Sequence, residues 1–336
     1  MIKNYKLCSL RFNVHEEFAV KKVLDSFNQV EVSEVLVCDG LLLCVTLTRY
    51  EDNIQQQVGL MLWNPYLGQT RWIQQRRRPY KRSDVYALGY DKSTNRNHKI
   101  LRCCYGFKGE ECEIYNVKSD SWRTLDDVTL HWVCGQDYFH LNASLKGNTY
   151  FLDRYRDNEM FNGFLLCFDF TTERFGDQLH LPWSQEPCYY SRVTLISCFR
   201  EEKLAALYMD SPISGMGIWV TTNTEPDELL WSNFFKTNLE AIPCNDCFGA
   251  RCFFNDEEKK RVVVFSGGSV TNTKAEEEYY NAAYIIGEKD YFRTVDLGGT
   301  HTPHYCFGPV VCSNSYVPSL VQIKQMESEE EEKQLI

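Results

Sequence analysis

Two short pairs of cysteine and histidine residues are the most obvious candidates for metal chemistry in this 336-residue sequence. Cys244 and Cys247 have the C-x₂-C spacing, and His301 and His304 lie three positions apart. A structural zinc site needs four ligands, which usually come from two such pairs with a supporting spacing. Because 54 positions separate Cys247 from His301, we expect loop or core residues here and no metal site.

Carboxylates and thiols that could catalyse a reaction are present, but they are not arranged for catalysis. The acidic groups at 126–127, 257–258 and 276–278 fall in expected turns, where solvated charge is the ordinary role. The glycine pairs at 267–268 and 298–299 are isolated and do not form a glycine-rich phosphate loop. With 15 cysteines and seven histidines, Cys–His pairs also arise by chance. The sequence therefore predicts no catalytic residues and no cofactor.

A basic run, "RWIQQRRRPYKR" at 71–82, holds six Lys or Arg among twelve residues and no acid. It could contact an acidic partner segment or RNA, with Trp72 and Tyr80 available for stacking. A solvated loop is the simpler interpretation. The net charge of −10, of which the tail 327–336 carries −4, gives no support to nucleic-acid binding. As a hypothesis, three arginines of the run belong to a protein-binding rim: Arg76, Arg77 and Arg78.

The cysteines and the apolar segments indicate an intracellular protein that does not enter a membrane. The longest apolar window, 34–47, is interrupted by Asp39-Gly40 and is too short to cross a bilayer. The N-terminus alternates in polarity, unlike a signal peptide. The cysteine count is odd, and free cysteines are expected inside apolar strands at Cys8, Cys38, Cys44, Cys167, Cys198 and Cys312.

A repeated hairpin supplies the elements that must position any functional residue. In "GLMLWNPYLGQTRWI" at 59–73, an aromatic residue precedes a turn of Asn, Pro and Gly, and a second aromatic follows it. The first aromatics of five such hairpins are Trp63, Tyr115, Phe168, Trp219 and Tyr284, at intervals of 52, 53, 51 and 65 positions. The second aromatics are Trp72, Trp122, Phe175, Trp231 and Phe292. The recurrence favours packing residues of a repeat over a ligand-binding platform.

Each hairpin follows another pair of short apolar segments, which gives about four strands in roughly 50 residues, the period of a kelch-like propeller blade. The sequence predicts an all-β, kelch-like β-propeller over 1–325, with six blades as first choice and seven as second. Strands from 5–14, 30–37 and 307–323 are expected to close the ring in one shared blade, which removes open sheet edges. A helix is expected at 16–30, and the acidic tail 326–336 is expected to be disordered.

Eight of these segments, in order, resemble the successive motifs of the plant F-box-associated domain, type 1. They include "CDGLLLCV", "LWNPYLGQTRWI", "EIYNVKSDSWRTL", "SLKGNTYFL" and "AYIIGEKDYFRTVDLG", and the resemblance runs from about 30 to 323. It implies a non-catalytic substrate receptor of a cullin–RING ubiquitin ligase, with the propeller selecting a target protein. No F-box precedes residue 30, so a Skp-type adaptor and a cullin are expected as partners only if an F-box is supplied. A free binding domain or a propeller enzyme, sugar-active or oxidase-type, is the alternative.

Interaction propellers bind through their loops, and aromatic or arginine residues are the strongest anchors at interfaces. The candidate anchors, besides the three arginines, are Tyr80, Trp132, Tyr155, Arg156, Tyr189, Tyr190 and Tyr305. The sequence leaves open which of them share a face.

Overall fold

The computed structural model describes a part of the chain in which every regular element is a β-strand. The described residues are 2–3, 6–11, 19–22, 31–49, 56–75, 79–81, 84–93, 96–106, 109–126, 128, 142–157, 160–183, 193–199, 202–209, 215–223, 229–237, 250–256, 260–271, 277–288, 291–300 and 317–323. Within these ranges there is no helix with the length and apolar character needed to span a membrane. The all-β propeller prediction is confirmed.

The chain begins with a three-stranded sheet and continues with five four-stranded sheets, which we call blades I to V. The first sheet contains β1 (Ile2–Lys3), β2 (Lys6–Arg11) and β3 (Ala19–Lys22). Blade I contains β4 (Glu31–Cys38), β5 (Leu41–Arg49), β6 (Gln56–Asn64) and β7 (Gln69–Ile73). Blade II contains β8 (Val85–Tyr90), β9 (His98–Gly106), β10 (Gly109–Asn116) and β11 (Ser121–Leu125). Blade III contains β12 (Asn142–Leu145), β13 (Asn148–Asp157), β14 (Met160–Asp169) and β15 (Arg174–His180).

Blades IV and V repeat the same antiparallel order, in which each strand pairs with the next one along the chain. Blade IV contains β16 (Val193–Phe199), β17 (Lys203–Met209), β18 (Met216–Thr221) and β19 (Trp231–Thr237). Blade V contains β20 (Ala250–Asp256), β21 (Arg261–Thr271), β22 (Glu277–Gly287) and β23 (Phe292–Thr300). The five repeats expected from the aromatic spacing are therefore the five blades.

Two expectations about the ends of the chain are wrong. The described residues form five blades, where six or seven were expected, and the N-terminal sheet has only three strands. A strand was expected from 307–323, but residues 317–323 form no regular pairing, and 307–316 lie outside the described residues. The helix expected over 16–30 is also wrong, because β3 pairs with β2 and places Val20 opposite Leu10. Pairing with a neighbouring strand outweighs a helical periodicity that was only partial.

The third and fourth strands of blades I, II and III are joined by the same four-residue turn. The third strand ends in Asn64, Asn116 or Asp169, whose side-chain Oδ1 accepts two backbone N–H bonds of 2.7–3.2 Å from the turn. The last turn residue has positive φ in each case: Gly68, Asp120 and Glu173. A short polar side chain that bonds the following backbone stabilises such turns. This shared turn is the physical origin of the repeated sequence pattern.

The aromatic residue before the turn packs into the blade cores, as the repeat predicted. Tyr115 belongs to a cluster with the leucines of blade I, and Phe168 to a cluster with apolar residues of blade II. Tyr284 packs in the same way between blades IV and V. Trp63 is buried among residues of blade I itself. Burial of rings at these positions is worth on the order of 2–3 kcal/mol each.

The second aromatic of the first hairpin does not match its expected counterparts. Trp72 is 46% exposed and lies opposite Met61, while Thr70 lies opposite Trp63. In blade II the corresponding partner of Tyr115 is Trp122. The expected equivalence of Trp72 with Trp122 is therefore wrong, because the turn length fixes a register that places Thr70 there.

Two of the second aromatics connect neighbouring blades. The indole Nε1 of Trp122 donates to the carbonyl of Gln74 at 3.0 Å, and that of Trp231 donates to the carbonyl of His180 at 3.2 Å. In both cases the acceptor lies at the end of the fourth strand of the preceding blade, or directly after it. These rings therefore fix the position of one blade against the previous one.

The first strands of blades II and III run in the same direction. The side chains of Asn142 and Ser144 donate to the carbonyls of Tyr86 and Leu88, at 3.1 Å and 2.7 Å, and the Tyr90 amide donates to Gly147 at 3.1 Å. Because the contacts advance along both strands together, the two blades have the same orientation. Equivalent turns of these blades therefore lie on the same side of the ring.

The C-terminal segment 317–323 is held against blade I by a buried asparagine. Asn64 Nδ2 donates to the carbonyls of Ser319 and Val321 at 3.0 and 2.9 Å, and the Ile323 amide donates to Gln69 Oε1 at 3.0 Å. The Ile323 side chain is buried in the cluster between blades I and II. These contacts hold the C-terminal segment on blade I without strand pairing in 317–323.

Replacing Asn64 by aspartate is expected to lower the free energy of unfolding by about 1–3 kcal/mol. Aspartate keeps the acceptor that forms the turn, but it has no N–H group for the carbonyls of Ser319 and Val321. Asn116→Asp is the matched control, because aspartate already occupies the equivalent position at 169. Urea denaturation of both variants checks the prediction, and equal losses in the two would contradict it.

The cysteines follow the expectation with one exception. Cys44 and Cys167 are free and buried, Cys38 is buried and Cys198 is half-buried, while the side chains of Cys8 and Cys312 lie outside the described ones. Cys103 and Cys112 lie directly opposite each other on β9 and β10, and their sulfurs form a disulfide. This pair could not be predicted from the sequence, because the two cysteines meet only through the register of β9 and β10.

Candidate protein-interaction surface

The meander order of the strands gives the propeller two rims. The turns that join first to second strands and third to fourth strands lie at one end of a blade, which we call the upper rim. The turns between second and third strands, and the starts and ends of the connections between blades, lie at the other end, the lower rim. Turns and strand ends are thus the places where this scaffold can present side chains to a partner.

The predicted anchors belong to segments that leave from the lower rim. Tyr155 and Arg156 stand near the end of β13, opposite Asn162 and Phe161 of β14, next to the turn between second and third strands. Their side chains are not among the described ones. The remaining anchors except Tyr80 lie outside the described residues, in stretches of sequence between a fourth strand and the next first strand or after β23: Arg76, Arg77, Arg78, Trp132, Tyr189, Tyr190 and Tyr305.

Tyr80 is the one predicted anchor whose side chain the structure describes, and it is buried. Its ring is 5% exposed and packs against Tyr86 and Trp122, with ring centroids 6.3 and 6.2 Å away. Its hydroxyl donates to the carbonyls of Ile73 and Gln74 at 3.3 and 3.0 Å. The ring therefore ties the connection between blades I and II to the end of β7, and the proposed surface does not include it.

A buried ionic cluster lies beside Tyr80 and holds the same connection. Arg102 is 1% exposed, and its guanidinium lies 2.7 Å from the Asp84 carboxylate and 3.3 Å from that of Glu113. Arg102 also donates to the carbonyl of Pro79 at 2.8 Å and stands 5.0 Å from the Tyr80 ring centroid. The described residues that directly follow the three arginines are thus anchored at several points.

Burial and charge act in opposite directions on this cluster. Burial disfavours the charged guanidinium, but the neighbouring Asp84 carboxylate outweighs it and raises the pKa of Arg102. Burial raises the pKa of the Tyr80 and Tyr86 hydroxyls well above their usual range, so both remain neutral hydrogen-bonding groups. The cluster is therefore a fixed structural base for the connection between blades I and II.

Three buried thiols among the described residues are poor nucleophiles. Burial raises the pKa of Cys44 to about 12 and that of Cys167 to about 11, whereas reactive cysteines have a lowered pKa. Burial also raises the pKa of the Cys104 thiol. Among the described residues, moreover, no group of three or more His, Cys, Asp or Glu side chains could hold a metal ion.

Two charged residues that sequence reasoning missed hold blades together at the upper rim. Arg71 is buried, donates to the Val117 carbonyl at 2.8 Å and pairs with Asp120 at 2.8 Å. Lys99 is buried in the same manner, donates to the Phe170 carbonyl at 2.9 Å and lies 2.8 Å from Glu173. Each cation thus binds the first carbonyl of the next blade's four-residue turn. Arg71 was counted in the basic run, but only the structure shows that it faces the neighbouring blade.

Comparison with known proteins identifies relatives of the whole chain. An F-box protein of Arabidopsis thaliana is 42% identical over 94% of this chain and 74% of its own length, and a second one is 41% identical over 97% and 80%. An F-box/kelch-repeat protein of the same plant is 37% identical over 98% of this chain and 82% of its own length. An ulvan lyase of a polysaccharide lyase family shares 7% identity over 78% of this chain and 69% of its own, with a TM-score of 0.41, too low for an argument about fold or activity.

The sequence family described as the F-box associated beta propeller domain matches residues 1–323. The five blades, their common turn and the plant relatives agree with that match. The chain therefore belongs to the F-box associated β-propeller family.

Proposed function

We propose that this chain is a non-catalytic protein-interaction module that recognises the target of an F-box ubiquitin-ligase receptor. The observation that carries the proposal is the family match over residues 1–323, which covers all five blades. The rigid blades support it, since buried ions and indole rings fix the blades to one another and leave the rims to present variable side chains. The mechanism is presentation of a bound target, without a covalent step on this chain.

The lower rim supplies the first candidate contact of this module. The basic segment that contains Arg76, Arg77 and Arg78 directly precedes, in the sequence, residues fixed by the contacts of Tyr80, Asp84 and Arg102. A cationic segment beside a rigid base suits a partner with an acidic surface, because complementary charge speeds association and selects partners. Trp132, Tyr155, Arg156, Tyr189, Tyr190 and Tyr305 are proposed as further contacts of the same rim.

Reversing the charge of the three arginines tests this contact. The assay is affinity capture from plant extract followed by quantitative mass spectrometry. The R76E/R77E/R78E variant is expected to capture at least about tenfold less of a partner protein that the unmodified chain enriches. The control variant K236E/K260E/R293E makes the same charge change on blades IV and V and is expected to retain that partner. Undiminished capture by the lower-rim variant, with unchanged thermal stability, would remove the basic segment from the site.

Coupling to the ligase is proposed to need an F-box. A purified Skp-type adaptor is expected to bind a fusion of an F-box to this chain and not the chain alone. The fusion should then increase ubiquitination of the captured partner in a reconstituted reaction. Adaptor binding by the unfused chain would show a coupling surface on the propeller itself and would contradict this part of the proposal.

A further inference from the structure

The upper rim of blades I to III is one continuous surface. The Asp39 carboxylate in the first turn of blade I lies 3.7 Å from Arg96 of blade II. The Tyr90 amide bonds Gly147 in the first turn of blade III, and the Lys92 amide bonds Thr171 Oγ1 in the last turn of that blade at 2.9 Å. The turns of three successive blades are therefore in direct contact, and each holds the next in place.

Positive charge dominates this surface although the whole chain is acidic. The described cations of the rim are Arg71, Lys92, Arg96, Lys99, Lys118, Arg123, Lys146 and Arg174, and its described carboxylates are Asp39, Asp91, Asp120, Asp169 and Glu173. Each of the five carboxylates already has a cation as partner within the rim. Among the described residues, eight cations against five carboxylates leave an excess of positive charge, which is exposed at Lys118 and Arg174.

Three of these carboxylates have a lowered pKa, so the excess of positive charge already includes their full negative charge. Burial opposes ionisation of Asp169, but the amides of Thr172 and Thr171 and the Lys92 ammonium hold its pKa below the usual range. Burial likewise opposes ionisation of Asp120, and the Tyr115 hydroxyl and Arg71 hold its pKa low. The Ser93 amide is the main cause of the lowered pKa of Asp91.

An apolar margin borders the cationic surface on the side of blade I. Large exposed apolar side chains there are Tyr66 in the last turn of blade I and, on the C-terminal segment, Val317 and Leu320, which is 74% exposed. The Asn64 side chain links Tyr66 to the C-terminal segment. Its Oδ1 accepts a hydrogen bond from the Tyr66 amide, and its Nδ2 donates to the carbonyls of the residues on either side of Leu320. Gly40 follows Asp39 in the first turn of blade I, and a Cβ added to Gly40 would lie only 2.3 Å from the Val317 carbonyl oxygen. The apolar margin is therefore in contact with the turn whose Asp39 pairs with Arg96.

We infer that the upper rim of blades I to III binds a peptide segment of a partner protein that is rich in acidic residues and carries one or two large apolar side chains. Acidic groups complement Lys118 and Arg174, and an apolar side chain finds contact area at Tyr66 and Leu320. The rigid turns lose little conformational freedom on binding, which favours affinity. The inference rests on the proposed role in protein binding, but it concerns a different rim from the basic segment at 76–78.

Fluorescence anisotropy with a short fluorescein-labelled peptide of glutamates and two leucines tests the inference on the full chain. Binding is expected to weaken at least about tenfold in K118E/R174E, and to weaken with rising salt because exposed charges are screened. A peptide with glutamine in place of glutamate is expected not to bind. Leu320→Ser is expected to weaken binding about threefold or more, while Leu230→Ser, which changes an exposed leucine of blade IV, leaves it unchanged.

The same measurements separate this surface from the lower rim and from other occupants. If R76E/R77E/R78E loses the peptide and K118E/R174E keeps it, the upper-rim site is overturned while the proposed function stands. Binding that appears only when Glu329, Glu330, Glu331 and Glu332 are changed to glutamine would identify the chain's own tail as the occupant. A dimer that K118E/R174E dissolves in sedimentation would identify a second copy, and either result overturns the inference.

Discussion

Replacing Arg102 by methionine is expected to lower the free energy of unfolding by about 3–5 kcal/mol. The change leaves the Asp84 carboxylate, whose side chain is 1% exposed, without the guanidinium that lies 2.7 Å away. It also removes the bond to the Pro79 carbonyl and the ring contact with Tyr80. Guanidinium chloride denaturation monitored by tryptophan fluorescence measures the loss.

Two further variants make this result specific to the buried charge. Arg123→Met removes an arginine that is 57% exposed and paired with Glu173, and is expected to cost at most about 1 kcal/mol. Combining Arg102→Met with Asp84→Asn removes both charges and is expected to recover part of the loss. Equal effects of Arg102→Met and Arg123→Met would mean that the cluster does not hold blades I and II together.

Replacing Gly89 by alanine is expected to destabilise the protein by about 3 kcal/mol, because a methyl group does not fit between blades II and III. The added Cβ would lie 2.1 Å from Phe170 Cδ2 and 2.6 Å from the Gly147 carbonyl. Phe170 is fully buried and belongs to the fixed turn of blade III, so neither neighbour can give way without moving that turn.

Gly176→Ala is the matched control for this position. The nearest atom to a Cβ there is the Cys167 carbonyl oxygen at 3.8 Å, an ordinary contact distance, and the residue is exposed on β15. Alanine at 176 is expected to leave the midpoint of thermal unfolding unchanged or to raise it slightly. A Gly89→Ala protein as stable as Gly176→Ala would contradict the close approach of the two blades.

The repeat could be predicted from the sequence because each blade carries its own local signal. An aromatic residue before a turn recurs in all five blades, and in blades I to III the side chains of Asn64, Asn116 and Asp169 form the same bonds in a four-residue turn. Local chemistry of this kind is visible in a single sequence. The same signal placed Tyr115 and Phe168 correctly in the core.

The ends of the propeller could not be predicted because they depend on contacts between distant residues. The segment 317–323 lies on blade I through backbone carbonyls that accept from Asn64, and a carbonyl has no sequence signature. Strand β3 forms where a partial helical pattern was visible, because β2 lies beside it. Trp72 was matched to Trp122 by its position after the turn, whereas hairpin register gives that place to Thr70.

The lower-rim anchors remain a prediction, because the described side chains include only that of Tyr80, which is buried. The structure also shows that Arg71, Lys99 and Arg102 are buried cations, which the sequence did not indicate. A charge becomes a buried link only when a carbonyl or carboxylate of the neighbouring blade faces it, and this depends on the three-dimensional arrangement. The upper rim escaped sequence reasoning for the same reason, since its cations come from turns far apart in the chain.

Site-specific photo-crosslinking tests most directly whether this propeller binds a protein partner through its rims. A photoreactive amino acid is placed at Arg77 on the lower-rim segment, at Lys118 on the upper rim, or at Gln178 on the exposed face of β15, and crosslinked peptides from plant extract are identified by mass spectrometry. We predict that a recurring acidic segment of one partner is crosslinked from Lys118, that the same partner is crosslinked from Arg77, and that Gln178 does not yield it. Equal recovery of the same proteins from all three positions, or recovery from Gln178 alone, would contradict recognition at the rims.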